Sequence, residues 1–230
     1  MEIYFIFIKG KIGEIVIMFN IRNMPHVKAT LLSAYEVIYK DDETLIIYNV
    51  PADTYIAEGK AKTIIGNIKS LKMSRFETSN KEVFDYFYKT QNFKYHQICL
   101  QCHHKRGKGK AKLDIPSLEE IKWIAETYGT AVCKITELAE NHKIFVYHEG
   151  DDAVSYIGIH SDGSIGFLYT KPEYREQGYS AKIQNELFKI MKSPIFAQIL
   201  VDNKISIARH KENNWTFNRY KIYWLFNKGF

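Results

Sequence analysis

A glycine and a serine at the start of one predicted helix have the spacing of a phosphate-binding turn. Residues 165–183, IGFLYTKPEYREQGYSAKI, predict a strand, then a proline turn and then an amphipathic helix. Arg175 and Gly178 precede this helix, and Ser180 lies in its first turn. The order brings free backbone N–H groups, small residues and the positive end of a helix dipole to one point. Because glycine lets a ligand approach the backbone closely, this turn predicts a site for phosphate oxygens.

A second stretch, ICLQCHHKRGKGKAK at residues 98–112, combines two cysteines, two histidines and a basic run. Its alternating apolar residues predict a strand, in which Cys99 and Cys102 point to opposite faces. That geometry disfavours a shared metal site, although His103 and His104 keep a zinc site open as an alternative. Haem attachment would also need an export signal, which we do not find. We predict the last strand of a first domain followed by a solvated loop, and no metal cofactor.

The composition predicts a folded protein of the cytoplasm. The 230 residues are 46% hydrophobic, which is enough for a buried core, and three cysteines are too few for a disulfide framework. The first 19 residues are apolar but are interrupted by charges and glycines, so each apolar run is too short to cross a bilayer. We expect them to form a hairpin that turns at residues 9–13, and we expect no membrane partner.

The net charge of +6 comes from the first half of the chain. Residues 1–112 contain 18 Lys and Arg against 11 Asp and Glu, and five of these 18 lie between Lys105 and Lys112. Such an arm could bind nucleic acid weakly and with strong salt dependence, but no aromatic residues alternate with the charges to stack on bases. Nucleic-acid binding is therefore an alternative and not the main prediction.

The periodicity of apolar residues predicts elements along the whole chain. In the first half it predicts helices at 24–39 and 79–91, the second capped by Ser79 or Asn80, and strands at 42–50 and 93–104. In the second half it predicts helices at 114–129, 180–191 and 203–213, and strands at 143–150, 153–163, 164–172, 195–202 and 219–226. Pro116 and Ser117 are expected to open the helix that Gly129 closes, and Ile183, Leu187 and Met191 form the buried face of the helix after the phosphate turn.

The phosphate turn resembles the acetyl-CoA signature of the GNAT N-acetyltransferase superfamily. That signature has Arg or Gln, two residues, Gly, one residue and Gly or Ala, after a strand that ends in Val-x-Pro. Here residues 170–172 occupy the Val-x-Pro positions, and Ser180 replaces the usual small residue. A second block, residues 200–215, resembles the family's next strand and helix, with Asn203 and Ser206 at matching positions. His210 stands where the family has a tyrosine, and residues 214–215 (Asn-Trp) replace Gly-Phe.

The resemblance covers about residues 114–230 and implies a mixed α/β (α+β) fold. The implied central sheet is flanked by helices and is splayed between the strands at 165–170 and 196–201, where a bulge opens a slot for the pantetheine arm. The implied co-substrate is acetyl-CoA. The residues expected to bind it are Leu168, Tyr169, Thr170, Arg175, Glu176, Gln177, Gly178, Tyr179, Ser180, Ala181, Asn203 and Ser206.

The implied activity is transfer of an acetyl group to the primary amine of a small molecule or amino acid by direct attack in a ternary complex. His210 is a candidate for the acid that protonates the departing thiolate, with an ordinary surface histidine as the alternative. His148, Glu149 and His160 are candidates for the base that deprotonates the amine, and a solvated residue at a strand end is the alternative for each. A GNAT fold that binds acyl-CoA without transferring the acyl group is a further alternative.

The two halves of the chain differ in these signals. We predict an N-terminal α/β domain at residues 1–112 and the GNAT acetyltransferase domain at 113–230. The first lacks the signature, and its order of elements is compatible with the degenerate GNAT-like half of two-domain relatives such as glycine-acyltransferase-like proteins. Its role is not indicated by any motif; it could line the acceptor pocket or mediate homodimer formation.

Overall fold

The computed structural model describes residues 24–191 and 194–227, which form two compact units. The first unit comprises the described parts of residues 1–103 and 198–230, and the second comprises those of residues 104–197. The hairpin predicted for the first 19 residues lies outside the described residues. The predicted domain boundary between residues 112 and 113 stays a prediction. No helix among residues 24–191 and 194–227 is long and apolar enough to cross a membrane.

Helices and strands alternate through most of the described chain. Residues 24–104 form α1 (Pro25–Leu31), β1 (Tyr35–Lys40), β2 (Thr44–Asn49), β3 (Thr54–Gly59), α2 (Ala61–Ile68), β4 (Arg75–Thr78), α3 (Lys81–Thr90) and β5 (Tyr95–His104). The rest forms α4 (Leu118–Tyr128), α5 (Val132–Glu140), β6 (Ile144–Glu149), β7 (Asp152–Ile159), β8 (Ile165–Thr170), α6 (Tyr179–Ile190), β9 (Ile195–Leu200), α7 (Lys204–Glu212) and β10 (Thr216–Phe226).

The strands form two sheets. The larger sheet has the order β1-β2-β3-β4-β10-β5-β9, in which β3 and β4 pair in parallel and the pairs β1–β2, β2–β3, β4–β10 and β10–β5 are antiparallel. The smaller sheet is antiparallel, with the order β6-β7-β8. The fold is therefore mixed α/β with helices packed on the sheets, which confirms the predicted class. Strands β8 and β9 are edge strands of different sheets. The slot for the pantetheine arm that the resemblance implies between these two strands stays a prediction.

Each unit has its own apolar core. In the first unit α2 and α3 cover one face of the large sheet, where Ile64, Phe76 and Phe87 are completely buried. Helix α1 packs Val27 and Leu31 against the alternate residues of β2 and β3, which face the other side. In the second unit α4 and α5 pack on β6, β7 and β8, and their cluster includes Ile144, Val146, Tyr156 and Phe167.

The helix predicted at 24–39 is wrong in its second half. Helix α1 ends at Leu31, where the Ser33 hydroxyl donates to the Thr30 carbonyl, and residues 35–40 form β1 instead. The sequence Tyr-Glu-Val-Ile-Tyr-Lys is rich in aromatic and β-branched residues, and it pairs with β2 along its length. Sheet pairing therefore outweighs the helical spacing. Elements α2, α5, β3 and β4 were not predicted.

The predicted start and end of helix α4 are confirmed. The Ser117 hydroxyl accepts from the Glu120 amide at 3.4 Å, and the Glu120 carboxylate accepts from the Ser117 amide at 2.6 Å. Gly129 ends the helix in the left-handed region with φ 73°. Such a capping box satisfies two N–H groups that a helix leaves without intrahelical partners.

Replacing Ser117 with alanine should lower the free energy of unfolding by about 1 kcal/mol, because one N–H group at the start of α4 loses its acceptor. The reverse change is available at Ala131, which has extended backbone at the start of α5 and makes no side-chain cap. Ala131→Ser should raise stability by a similar amount. Urea unfolding measures both, and a change of the same sign in the two variants would contradict the capping assignment.

Candidate functional site

The edge strand β8 carries a bulge in its middle. Its register with β7 shifts between Tyr156 and Gly158, and Phe167 has φ 53°, which is rare for a residue other than glycine. Beyond the bulge, the Lys171 amide donates to the Val154 carbonyl, so alternate residues bond to β7. Leu168 and Thr170 therefore direct their backbone groups to the open edge of the sheet, and those of Tyr169 face β7.

The connection between β8 and α6 leaves several backbone N–H groups exposed. A 3₁₀ turn at Pro172–Tyr174 leads to Glu176 and Gly178, both in the left-handed region with φ 63° and 81°. Within the described residues, the N–H groups from Glu176 to Ser180 have no hydrogen-bond acceptor in the protein. A Cβ added at Gly178 would meet no atom of the described residues within 4 Å. The loop thus offers a run of N–H donors without acceptors among the described residues at the positive end of α6, which suits a phosphate site.

Three cations surround this loop, and each lies over an aromatic ring. Lys171 Nζ is 5.1 Å from the centre of Trp123, Arg175 is 5.6 Å from that of Tyr169, and Lys182 Nζ is 4.2 Å from that of Tyr179. Arg175 also donates from Nε to the Thr170 carbonyl at 3.1 Å. The rings hold the side chains in place while their charges raise the local potential, which favours a polyanionic ligand.

Comparison with known proteins agrees with this geometry. Residues 110–215 match the family model described as "Acetyltransferase (GNAT) family". The chain contains a GNAT acetyltransferase domain. The GNAT match includes both sequence blocks, the turn after β8 and the helix α7. No curated protein sequence matches the chain.

Solved structures share the fold of this chain at low sequence identity. A Drosophila protein is 9% identical, with a TM-score of 0.60 over 80% of this chain and 74% of that one. A GCN5-related N-acetyltransferase from Kribbella flavida is 9% identical, with a TM-score of 0.53 over 89% and 94%. A functionally unknown conserved protein from Staphylococcus epidermidis is 12% identical, with a TM-score of 0.52 over 84% and 94%. At these identities the likeness concerns the fold alone.

In the second GNAT block, Asn203 and Ser206 bond to each other. The Asn203 side chain accepts from the Ser206 amide at 3.0 Å and caps α7. His210 is buried, with 7% of its surface exposed; it donates from Nδ1 to the Ser206 carbonyl at 2.8 Å and packs on Trp215. Burial lowers the pKa of His210, partly offset by the bond to Ser206. His210 is therefore not a surface histidine, and its neutral form is a poor acid at neutral pH.

The three candidate bases of the GNAT domain lie at opposite ends of the small sheet. His148 and Glu149 lie at the β6–β7 turn, near the end of β8 at Thr170. The His148 ring nitrogens contact Asp114 at 3.1 Å and Glu120 at 2.7 Å, and exposed Glu149 adds to the effect of burial in raising the pKa of Tyr179. Both are engaged with other side chains. His160 lies at the other end, in the β7–β8 turn.

The stretch at 98–112 is a strand followed by an exposed segment, as predicted. Cys99 and Cys102 are buried within β5. The start of the basic segment packs against the end of α6. The His104 ring stacks on Phe188 at 4.4 Å, and the Gly107 amide donates to the Phe188 carbonyl at 3.0 Å. In the part of the chain that the structure describes, no three His, Cys, Asp or Glu side chains are grouped to hold a metal ion.

Some features of the site have no signal in the sequence. Phe167 and Glu176 adopt left-handed backbone, but nothing in their residue type indicates it. The cation–ring contacts pair residues that are distant in sequence, such as Lys171 with Trp123. The strand-turn-helix order with Arg175, Gly178 and Ser180 was a local signal, and it indicated the loop but not its shape.

Proposed function

We propose that this protein is an acetyl-CoA-dependent N-acetyltransferase that acts on the primary amine of a small molecule or amino acid. The observation that carries the proposal is the array of N–H groups from Glu176 to Ser180 at the start of α6, which have no acceptor among the described residues and come directly after an edge strand with outward backbone groups. The array suits a pyrophosphate, and the strand edge suits the amide-containing pantetheine arm. The GNAT family match supports this pairing.

The residues of this domain would mainly bind and orient. Arg175 and Lys182 attract the phosphates, and Gly178 keeps side-chain atoms out of the cradle. Leu168 and Thr170 would pair with the arm as if it were an added strand, and one of their N–H groups would donate to the thioester oxygen as charge develops on it. The amine nitrogen then forms a C–N bond to the acyl carbon as the C–S bond breaks, so catalysis depends chiefly on positioning.

A second candidate function is binding of acyl-CoA without transfer. The observation that favours it is the burial of His210, which lies where the family has its usual acid and is held neutral by its surroundings. An enzyme that needed this residue as an acid would work poorly at neutral pH. The two functions make the same prediction for ligand binding and different predictions for turnover.

The experiment that tests the proposal is a thermal melt of the full chain with and without acetyl-CoA, followed by an assay for thiol release with a panel of primary amines. Acetyl-CoA at a hundredfold excess over its Kd should add about 2.7 kcal/mol to the free energy of unfolding. A shift without thiol release would favour the binding protein. No shift would leave only the fold, and salt-sensitive binding to random DNA would then support the basic segment as the functional surface.

A further inference from the structure

His160 lies directly against the bulge of β8. It follows β7, and its backbone amide bonds to the Ser164 carbonyl in the turn to β8. The ring is 4.3 Å from that of Phe167, centre to centre, and it lies so close over Gly166 that a Cβ there would collide with Nε2. The absence of a side chain at residue 166 is therefore what makes room for the imidazole.

The bulge is the position that the thioester would reach. If the phosphates occupy the loop from Glu176 to Ser180, an arm that runs along the β8 edge passes Thr170 and then Leu168. On this path the reactive end would lie just beyond Leu168, beside Phe167, since neighbouring strand residues are about 3.3 Å apart. His148 and Glu149 lie at the opposite end of the sheet, next to the loop, so His160 is the candidate base on the side of the thioester.

The imidazole of His160 has the chemical state of a base. Within the described residues, its ring nitrogens have no hydrogen-bond partner. Burial lowers the pKa of His160; the charge of Asp162 opposes this shift and that of Lys134, on α5, adds to it. The Asp162 carboxylate already accepts from the amide and hydroxyl of Ser164. A neutral imidazole with an unused lone pair near the reaction is able to accept a proton near neutral pH.

We propose that His160 is the general base for the acceptor, and that the acceptor is a primary amine next to an apolar or aromatic group; this inference rests on the proposed transferase function. The apolar part would pack on the exposed ring of Tyr128, whose centre is 4.5 Å from that of buried Phe167. The ammonium gives one proton to His160, and the amine then forms the C–N bond as the C–S bond breaks. The second amine proton goes to the leaving thiolate.

Two variants test this role by different means. His160→Gln removes the base, and Gly166→Ala keeps the histidine but displaces its ring, because a Cβ at residue 166 would collide with Nε2. With acetyl-CoA and 2-phenylethylamine as probes, kcat/KM should fall by about 10²–10⁴-fold in the first variant and by roughly ten- to hundredfold in the second. Glycine should be a poorer acceptor than 2-phenylethylamine, because it lacks the apolar group. His142→Asn replaces an exposed histidine of the same unit and should change nothing.

The pH profile separates a base from a structural residue. In the wild type kcat/KM should fall as the pH drops through the lowered pKa of His160, below 6.5. In His160→Gln kcat/KM should show no step at this pKa and should instead rise steadily with pH, as the fraction of free amine grows. Both variants should keep the acetyl-CoA melting shift. Unchanged rates or an unchanged profile in His160→Gln would overturn the base assignment. Transfer to neither amine by a wild type that binds acetyl-CoA would overturn the transferase function, and no binding would overturn the acyl-CoA site itself.

Discussion

Replacing His26 with leucine is expected to lower the free energy of unfolding by about 3–5 kcal/mol, the largest effect on stability that we predict for a single substitution. His26 on α1 is 1% exposed, and its Nε2 lies 3.2 Å from Oε1 of Glu58, which is equally buried on β3. The other ring nitrogen contacts Gln101 on β5 at 3.2 Å. Leucine would leave the Glu58 carboxylate buried without its cation, and that penalty is much larger than the worth of the pair itself.

The same network predicts how stability depends on pH. Burial alone would lower the pKa of His26, but the charges of Glu77 and Glu58 and the hydrogen bonds to Glu58 and Gln101 outweigh it, so the pKa is raised above 6.5. A raised pKa means that the folded state binds the proton more tightly than the unfolded chain. The contribution of His26 is therefore fully present below pH 6.5 and is lost as the pH rises through the folded-state pKa. His26→Leu should lack this loss.

Urea unfolding between pH 5 and pH 9 measures both effects. The control is Lys81→Ala, which breaks the exposed Lys81–Asp85 pair on α3 and should cost far less. A second control is the double variant His26→Leu/Glu58→Gln. The glutamine removes the buried charge but can still accept from the Ser79 amide, so the double variant should recover part of the stability that His26→Leu loses. If His26→Leu lowered the free energy of unfolding no more than Lys81→Ala does, the buried charges of the network would not be important for stability.

The local parts of this fold could be predicted from the sequence, because their signals lie within one element. Ser117 and Gly129 delimit α4 and Asn80 caps α3, as expected. The place of β10 could not be predicted. This last strand lies between β4 and β5, so Trp224 pairs with Glu77 on one side and with Gln97 on the other. No local pattern encodes such distant partners, since the apolar alternation of β10 is compatible with several positions in the sheet.

The candidate site shows the same division. The β8–α6 loop was predicted because its strand, proline turn and glycine are adjacent in sequence. The buried pair of His26 and Glu58 joins residues 32 positions apart, and Gln101 lies 75 positions from His26. For His160, the sequence could name a histidine near a strand end, but only the packing of its ring over Gly166 distinguishes it from His148. What sequence could not supply is which side chains the sheet brings into contact.

Replacing Gly178 with glutamate is expected to weaken acetyl-CoA binding by at least about 100-fold, which is the largest effect on ligand affinity that we predict. Gly178 has φ 81°, and a side chain there would project into open space beside the exposed N–H groups. A carboxylate would occupy the phosphate cradle and repel its ligand. At a ligand concentration of a hundred times the wild-type Kd, the gain in stability should then fall from about 2.7 to about 0.4 kcal/mol.

The backbone cost of this substitution is separated from its effect on binding by the same change at Gly129. Gly129 has φ 73° and likewise has no atom within 4 Å of an added Cβ, so glutamate there carries a similar strain of roughly 1–2 kcal/mol. Both variants should melt below the wild type without ligand, but only Gly129→Glu should keep the full acetyl-CoA shift. If Gly178→Glu also kept it, the phosphates would bind elsewhere and the open N–H groups would be an ordinary helix start. If both variants lost it, left-handed backbone rather than the cradle would be what binding requires.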